Sequence, residues 1–341
     1  MNEIIGGEFS IDPIGYLQGI SRVEDIYTPT DGGVLFSSGR AALAGILRSI
    51  GNVGHVWLPD YLCTSITATV ESEHWTYSFY HINSSNLLPD RNAFTTIQEQ
   101  NAVLLINYFG IVDTLPIASE LKKQKKDTII IMDNVQALFQ DRVLQDVDFI
   151  FTSFRKWLPV PDGAEVYAKS NQVVPFTGDN KFAQYKFAGN ILKTFRQDIS
   201  DDIALDLLKQ GETILDLDFY CQCSEITRKI LPEIDMDFIK KKRMSNARYL
   251  HEGLQKLGIK HLWTENAVPL FLPVFVKDRN YIRKKCFEHN IFCPVHWPNE
   301  SNEVKEGNEL YATELSLICD QRYDTEDMKK ILKVIEQCIA R

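Results

Sequence analysis

The feature that most constrains the fold is a series of short apolar runs. The runs span residues 34–38, 55–59, 75–82, 102–107, 128–134, 148–153 and 164–168. Several of them are continuously apolar, as strands buried on both faces of a sheet are. Helical patterns separate some of the runs, and this alternation is typical of a largely parallel sheet with helices on its faces. The sequence therefore predicts an α/β fold with a largely parallel, seven-stranded sheet.

Two of the intervening segments have apolar residues at helical spacing. Residues 38–51 predict one helix, with Ser38 in a suitable N-cap position. Residues 114–127 predict another, with Pro116 near its first turn. Ligands of such sheets bind at the carboxyl ends of the strands. The candidate strand-end residues lie at 37–39, 59–61, 107–108, 133–134 and 153–156.

The second half of the chain has a different pattern. From about residue 180 the sequence becomes helical and charged, and a smaller set of elements follows. These elements are a strand at 268–276, a helix at 278–289, a short strand at 291–297 and a final helix at 324–340. We therefore expect a large α/β domain at residues 1–240 and a small C-terminal α+β domain at residues 241–341.

Composition excludes several classes of function. The 341 residues carry a net charge of −9 without a dominant basic block, so nucleic-acid binding is not predicted. No apolar window is long enough for a membrane span, and the N-terminus has no signal-peptide pattern. The seven cysteines are scattered and odd in number, which favours a reducing cytoplasm. Cys221 and Cys223 lack a second ligand pair, so no metal site is predicted.

Three strand ends have residues that suit chemistry. Ser38 and Gly39 precede a helix, and free amides at a helix start bind phosphate, although the same residues also serve as an ordinary cap. Asp133 ends an apolar run, where it either closes a turn or pairs with a protonated ring nitrogen. Lys156 follows another run, beside Arg155. It is either a solvated charge or, if desolvated, a nucleophile that forms Schiff bases.

These three features together match one cofactor. Pyridoxal 5'-phosphate needs a phosphate cradle, a carboxylate for its pyridinium nitrogen and a lysine for its aldehyde. Ser38 and Gly39, Asp133 and Lys156 supply one partner each. Neither a Walker loop nor a GxGxxG fingerprint is present, so nucleotide binding by those motifs is not predicted.

The sequence resembles the pyridoxal-phosphate enzymes of fold type I and, among them, the DegT/StrS-type nucleotide-sugar aminotransferases. The resemblance covers most of the chain. It is carried by the segments "SSGRAAL" (37–43), "VWLPDYLCTSITA" (56–68), "NYFG" (107–110), "MDNVQALF" (132–139) and "DFIFTSFRKWLPVPDGAEV" (148–166). Where the family has three residues between its Ser-Phe pair and the lysine, this chain has only Arg155.

The resemblance implies roles for individual residues. Lys156 would bond to the cofactor aldehyde and then act as the proton-transferring base, and Asp133 would pair with the pyridinium. Gln136 would lie against the cofactor ring, which either Tyr61 or Cys63 would cover. The cofactor phosphate would be held by Ser38, Gly39, Arg40 and Ser153.

The resemblance also implies substrates and an assembly. The residues expected near the substrate are Tyr108, Arg155, His296 and Trp297. Members of the family work as homodimers with shared active sites. They transfer an amino group, typically from glutamate, to a keto sugar attached to a nucleotide. The expected function is thus a cytoplasmic aminotransferase of cell-surface polysaccharide or amino-sugar biosynthesis.

Three other functions stay open. Related sugar dehydratases share the fold, but we expect a histidine in place of the lysine, and this chain has Lys156. Another pyridoxal-phosphate reaction, on an amino acid, fits the same cofactor site. A non-catalytic regulator that kept the fold is expected to lack the lysine or the aspartate, and both Lys156 and Asp133 are present.

Overall fold

The structure is a computed structural model that describes residues 4–11, 27–29, 32–51, 54–98, 100–170, 172–195, 201–298 and 308–340. The strands in these residues are β1 Ile5–Gly6, β2 Val34–Phe36, β3 His55–Pro59, β4 Thr76–Tyr80, β5 Ala102–Ile106, β6 Ile129–Asp133, β7 Phe149–Phe151, β8 Ala164–Ala168, β9 Leu272–Phe275, β10 Ile291–Phe292 and β11 Glu314–Leu317. The helices are α1 Gly39–Ile50, α2 Thr64–Ser72, α3 Leu115–Gln124, α4 Lys181–Leu192, α5 Asp201–Leu217, α6 Glu225–Ile230, α7 Met236–Lys256, α8 Arg279–Glu288, α9 Leu310–Thr313 and α10 Thr325–Ile339.

Seven of the strands form one sheet, in the order β2-β8-β7-β6-β5-β3-β4. The strands β7, β6, β5, β3 and β4 pair in parallel, whereas β8 is antiparallel to both of its neighbours. Because β2 and β7 are each antiparallel to β8, they run in the same direction as each other. The carboxyl ends of β2, β6 and β7 therefore lie along one edge of the sheet. The predicted α/β fold with a largely parallel, seven-stranded sheet is confirmed.

The central strands are apolar because both of their faces are covered. Every residue of β5 is buried, and so is every residue of β6 after Ile129. Helix α1 lies against β7 and β8 and buries a continuous apolar stretch, Ala41–Leu47. Pro116 lies in the first turn of helix α3. A backbone N–H there would have no acceptor within the helix, so the proline costs no hydrogen bond.

A second, smaller core forms from the C-terminal elements and the start of the chain. Strand β9 pairs with β11 in antiparallel fashion, and β1 pairs with β10 in parallel. Ile5 is buried in this core together with Leu250, Val274 and Leu315. The boundary expected at residue 240 falls inside α7, and β1 packs against C-terminal elements. The division into domains 1–240 and 241–341 stays a prediction.

Helices α4 and α5 pack extensively against each other beside the sheet. The packing is close because two glycines lie in the interface. A Cβ on Gly189 would come within 2.8 Å of the Leu208 side chain, and one on Gly211 within 2.9 Å of Lys186. No helix in the described part of the chain combines the length and apolar character that crossing a membrane requires.

Candidate active site

A cavity of about 280 Å³ lies at the edge where β2, β6 and β7 end. It brings together ten of the residues that the sequence singles out, although these come from distant parts of the chain. They are Ser38, Gly39, Arg40, Cys63, Asp133, Gln136, Ser153, Arg155, Lys156 and Trp297. The shared edge of the parallel strands is the physical reason for this convergence.

Lys156 lies in a short 3-10 turn, Phe154–Lys156, that begins just after β7. Burial lowers the pKa of its amino group, and the neighbouring charges of Arg155 and Arg40 act in the same direction. Asp133 opposes the shift but does not reverse it. An amine with a lowered pKa is uncharged more often at neutral pH, so it is a better nucleophile and base.

Backbone contacts hold the turn that carries this lysine. The backbone N–H of Phe154 donates to the carbonyl of Gly163 at 2.9 Å, and the backbone N–H of Gly163 donates to the carbonyl of Ser37 at 2.7 Å. The indole N–H of Trp157 donates to the carbonyl of Val135 at 3.0 Å. Gly163 has φ of +103°, and a Cβ there would lie 2.9 Å from the Phe154 ring. Only glycine fits this position without strain.

Asp162 anchors the same loop through its side chain, a role that the sequence pattern did not predict. Its carboxylate accepts hydrogen bonds from the Ser224 hydroxyl at 2.6 Å, the Asn180 amide at 2.6 Å and the Ser224 backbone N–H at 2.7 Å. The Thr227 hydroxyl also donates to it. Burial raises the pKa of Asp162 to about 6, against the effect of these hydrogen bonds. Asp162 thereby joins the lysine loop to the N-caps of α4 and α6.

We expect Asp162→Ala to destabilise the protein by about 3 kcal/mol or more, because buried donors left without an acceptor cost about 1–3 kcal/mol each. Urea unfolding of the variant and the wild type measures the difference. Asp179→Ala removes an exposed carboxylate next to Asn180 and is the matched control, with little expected effect. An equally small decrease in the free energy of unfolding of both variants would contradict the structural role of Asp162.

Asp133 ends β6 and is only 5% exposed. One carboxylate oxygen accepts the backbone N–H of Val135 at 2.8 Å, so the residue does close a turn, as the simpler interpretation predicted. The carboxylate also lines the cavity, and burial raises its pKa to about 6, with the Val135 hydrogen bond and Lys156 acting against the shift. A buried carboxylate facing a cavity is suited to bind a cation there.

Gln136 supplies a second group that points to a ligand. Its side-chain oxygen accepts the backbone N–H of Phe109 at 2.8 Å. Its side-chain nitrogen is buried and has no hydrogen-bond partner among the described residues, yet the residue lines the cavity. Leaving a buried amide donor unsatisfied costs about 1–3 kcal/mol, and an acceptor on a bound molecule would remove that cost.

The start of helix α1 forms another wall of the cavity. The Ser38 hydroxyl accepts the N–H of Ala41 at 3.2 Å, which leaves the N–H groups of Gly39 and Arg40 without partners inside the helix. A Cβ on Gly39 would come 3.1 Å from Val135 and 3.9 Å from Ser153, so glycine keeps this corner open. The arrangement suits an anion.

Arg155 is paired rather than free. Its guanidinium lies 2.6 Å from Glu212, which also lies 2.5 Å from the amino group of Lys186. Burial alone would raise the pKa of Glu212, but the charges of Arg155 and Lys186 outweigh it and lower that pKa to about 2. Similarly, Arg40 pairs with Asp216 at 2.5 Å. Both arginines therefore attach the cavity wall to helix α5.

Three of the predicted site residues, Tyr61, Tyr108 and His296, do not line this cavity. Tyr61 is fully buried behind the wall, where its ring packs against those of Tyr108 and Tyr311. The Tyr108 hydroxyl donates to the Tyr61 carbonyl, and neither tyrosine lines the first cavity. Of the two residues expected to cover the cofactor ring, Cys63 is the one on the wall. The choice between Tyr61 and Cys63 as the cover of the cofactor ring, and the placement of Tyr108 near the substrate, stay predictions.

His296 lines a second cavity of about 480 Å³, which meets the first at Arg155 and Lys156. The His296 ring nitrogen Nδ1 lies 2.8 Å from the hydroxyl of Ser316. Its neighbour Trp297 lines the first cavity instead. The pair predicted near the substrate is therefore divided between two adjoining cavities.

Comparison with known proteins adds evidence about the fold. No family model matches this sequence, and no curated protein matches it either. Solved structures do match over almost the whole chain. Spr1654 from Streptococcus pneumoniae, solved in its PLP form, has 14% identity and a TM-score of 0.71, with 99% of each chain covered.

Two further solved structures agree. The sugar aminotransferase CalS13 from Micromonospora echinospora has 11% identity and a TM-score of 0.67, with 99% of this chain and 100% of that chain covered. A DegT DnrJ EryC1 StrS aminotransferase from Brucella abortus has 14% identity and a TM-score of 0.63, with 98% of this chain and 92% of that chain covered. At these identities the likeness concerns the fold, and this chain has the fold type I architecture that the sequence resemblance implied.

Proposed function

We propose that this protein is a pyridoxal-phosphate-dependent aminotransferase. The observation that carries the proposal is the convergence of Lys156, Asp133 and the start of helix α1 on one cavity. Each of the three is suited to a different part of the cofactor, namely its aldehyde, its ring nitrogen and its phosphate. The comparisons support the proposal, because Spr1654 with this fold was solved in its PLP form.

The residues present fit that cofactor. The open corner at Gly39, the two free N–H groups of helix α1 and the hydroxyl of Ser153 suit a phosphate. Asp133 suits a ring-nitrogen cation, and the unpartnered amide of Gln136 suits an acceptor on the ring. Cys63 and Trp297 supply further wall surface. Pyridoxal phosphate, when bound, serves as the electron sink for reactions at the carbon that bears the amino group.

The side chains of this chain then have distinct tasks. Asp133 is held by Val135 with its charge toward the cavity, so it can keep a ring nitrogen protonated. Burial lowers the pKa of Lys156, which makes its amino group a better acceptor for a proton that it can then return. The paired Arg155 neutralises Glu212 and keeps the lysine turn attached to α5.

The proposed reaction moves an amino group from an amino acid, with glutamate the expected donor, to a keto sugar. Support comes from CalS13, a sugar aminotransferase with the same fold. A nucleotide-linked acceptor, a homodimer with shared active sites and a cytoplasmic enzyme of polysaccharide or amino-sugar biosynthesis are further parts of this proposal. Lys156 favours an aminotransferase over a dehydratase, because a dehydratase is expected to have histidine there.

A half-reaction tests the proposed function. The protein loaded with pyridoxal phosphate is mixed with glutamate alone, and the visible absorbance of the cofactor and the release of 2-oxoglutarate are followed. We expect the absorbance to fall while one 2-oxoglutarate forms per cofactor. If no amino acid changes the absorbance, transamination is excluded. If the protein takes up no pyridoxal phosphate, the whole proposal fails.

Gly39→Ala should weaken binding of pyridoxal phosphate, because the added methyl group fills the corner between Val135 and Ser153. We expect roughly a 10-fold loss of affinity, corresponding to about 1.4 kcal/mol. Fluorescence titration of the apoprotein measures it. Gly51→Ala, at the other end of the same helix and with no atom within 4 Å of the new methyl, is the matched control. Equal affinities of the two variants would contradict a phosphate site at Gly39.

A further inference from the structure

Arg155 is the charged neighbour of Lys156 in the short 3-10 turn Phe154–Lys156. Its side chain is 21% exposed, and the residue lines the first cavity together with the lysine. An ion pair with α5 accounts for the attachment of the turn, but not for a positive charge directly beside the proposed nucleophile. Two positive groups in one partly buried turn repel each other, so the position of the guanidinium affects the lysine.

A chain of ion pairs fixes the Arg155 guanidinium. Its Nη1 lies 2.6 Å from Oε1 of Glu212, and the same oxygen lies 2.5 Å from Nζ of Lys186. The Lys186 amino group lies 3.0 Å from Oε1 of Glu8, and its side chain is 2% exposed. A Cβ on Gly211 would come within 2.9 Å of the Lys186 Cγ, so close packing of α4 against α5 holds this side chain. The guanidinium therefore has a defined position, unlike that of a surface arginine.

The groups of this chain of ion pairs stay charged at neutral pH. Burial acts to lower the pKa of Arg155, but the carboxylates of Glu212 and Glu8 outweigh it and raise that pKa. Burial acts to raise the pKa of Glu212, but Arg155 and Lys186 lower it to about 2. Arg155 is therefore positively charged over the whole pH range in which a lysine titrates.

Titratable and charged groups from four elements act on the Lys156 amino group. Burial lowers its pKa, Cys63 before α2 and Asp133 at the end of β6 act against this shift, and Arg155 and Arg40 act with it. Arg40 belongs to α1 and pairs with a carboxylate of α5. Arg155 shares the turn with the lysine, so the backbone of that turn limits how far apart the two charges can lie.

We propose that Arg155 is a positioning residue for the reaction, whose guanidinium, fixed by Glu212, repels a second positive charge at the amino group of Lys156. The inference rests on the proposed function, because it assumes that Lys156 is the reacting lysine. An ammonium group has no lone pair, so only the unprotonated fraction of the lysine attacks a carbonyl or accepts a proton. Arg155 thus acts on the reaction through the lysine, and Glu212 acts through Arg155.

Trace acetylation of the full-length, cofactor-free protein with acetic anhydride tests the inference, because the reagent attacks unprotonated amino groups. Peptide mass spectrometry with fragmentation follows the modification of Lys156 from about pH 6 to about pH 11. In Arg155→Gln the repelling charge is gone, so the curve should move to higher pH and labelling at neutral pH should fall about 3- to 10-fold. Arg155→Lys keeps the charge, and its labelling of Lys156 should stay within about twofold of the wild type. Glu212 keeps Lys186 as a partner in both variants.

The exposed Lys126 is measured in the same samples as a reference, and its labelling should not differ between the variants. Unchanged labelling of Lys156 in Arg155→Gln overturns the inference. Equal losses in Arg155→Gln and Arg155→Lys also overturn it, because a loosened turn rather than a missing charge then explains them. Uptake of pyridoxal phosphate is measured separately by visible absorbance. A protein that takes up no cofactor refutes the proposed function, whereas acetylation of the empty protein still decides whether Arg155 acts on Lys156.

Discussion

Lys156→Ala is expected to abolish covalent attachment of pyridoxal phosphate and to lower kcat on the order of 10²- to 10⁴-fold, the range usual for loss of a positioned acid–base group. The amino group is the proposed nucleophile of the site, and among the described residues no other lysine lines the first cavity. Borohydride reduction followed by peptide mass spectrometry locates the attached cofactor. In the wild type the modified peptide should contain Lys156.

Lys126→Ala serves as the control, because Lys126 is exposed in the turn before β6, at the end of that strand opposite to Asp133, and does not line the cavity. This variant should retain both attachment and activity. Covalent cofactor found on a different lysine of the wild-type protein would refute the assignment of Lys156. Full attachment in Lys156→Ala would refute it as well.

Asp133→Asn is expected to have opposite effects on the empty protein and on the loaded one. With cofactor, the variant would lose the carboxylate that is proposed to pair with the ring nitrogen, and its affinity for the cofactor should fall on the order of 10²-fold. Equilibrium dialysis of the variant and the wild type measures this loss. Without cofactor, the same substitution removes a buried charge whose presence destabilises the fold.

The pH dependence of the empty protein follows from the pKa of Asp133, which burial raises from 3.8 to about 6. The folded protein therefore holds a proton more firmly than the unfolded chain between about pH 4 and pH 6, and stability falls as pH rises through that window. Above it, the charged carboxylate costs about 3 kcal/mol, since a shift of one pKa unit corresponds to about 1.36 kcal/mol.

Asp133→Asn should therefore stabilise the empty protein by up to about 3 kcal/mol at neutral pH and hardly at all at about pH 4. Urea unfolding of the apoprotein at both pH values provides the measurement. A variant that is less stable than the wild type at neutral pH would mean that the carboxylate supports the fold, contrary to its assignment as a binding group.

The fold was largely predictable from the sequence because its signals are local. Each apolar run that became β3, β5 or β6 is recognisable from neighbouring residues, and alternation with helices implies a parallel sheet. In the second half of the chain, the apolar pattern predicted a strand at 268–276, but in the structure only Leu272–Phe275 forms a strand, paired with β11. Pairing depends on the partner β11, which the local pattern does not identify.

The candidate site was predictable in part for a related reason. Parallel strands direct their carboxyl ends to one edge, so residues that directly follow strands, such as Asp133 and Lys156, meet there. Tyr61 also follows a strand, but its ring turns into the core against Tyr108. The direction of a side chain at a strand end depends on the packing around it, and position in the chain does not reveal it.

The sequence by itself determined the sheet, the strand-end residues and the chemistry they suit, because all three depend on residue type and short spacing. Only the tertiary structure decided which charges are paired. Arg155 pairs with Glu212, which lies 57 positions away, and Asp162 accepts hydrogen bonds from Ser224, which lies 62 positions away. Ion pairs form between side chains that folding brings within a few ångströms, and no local pattern records that distance.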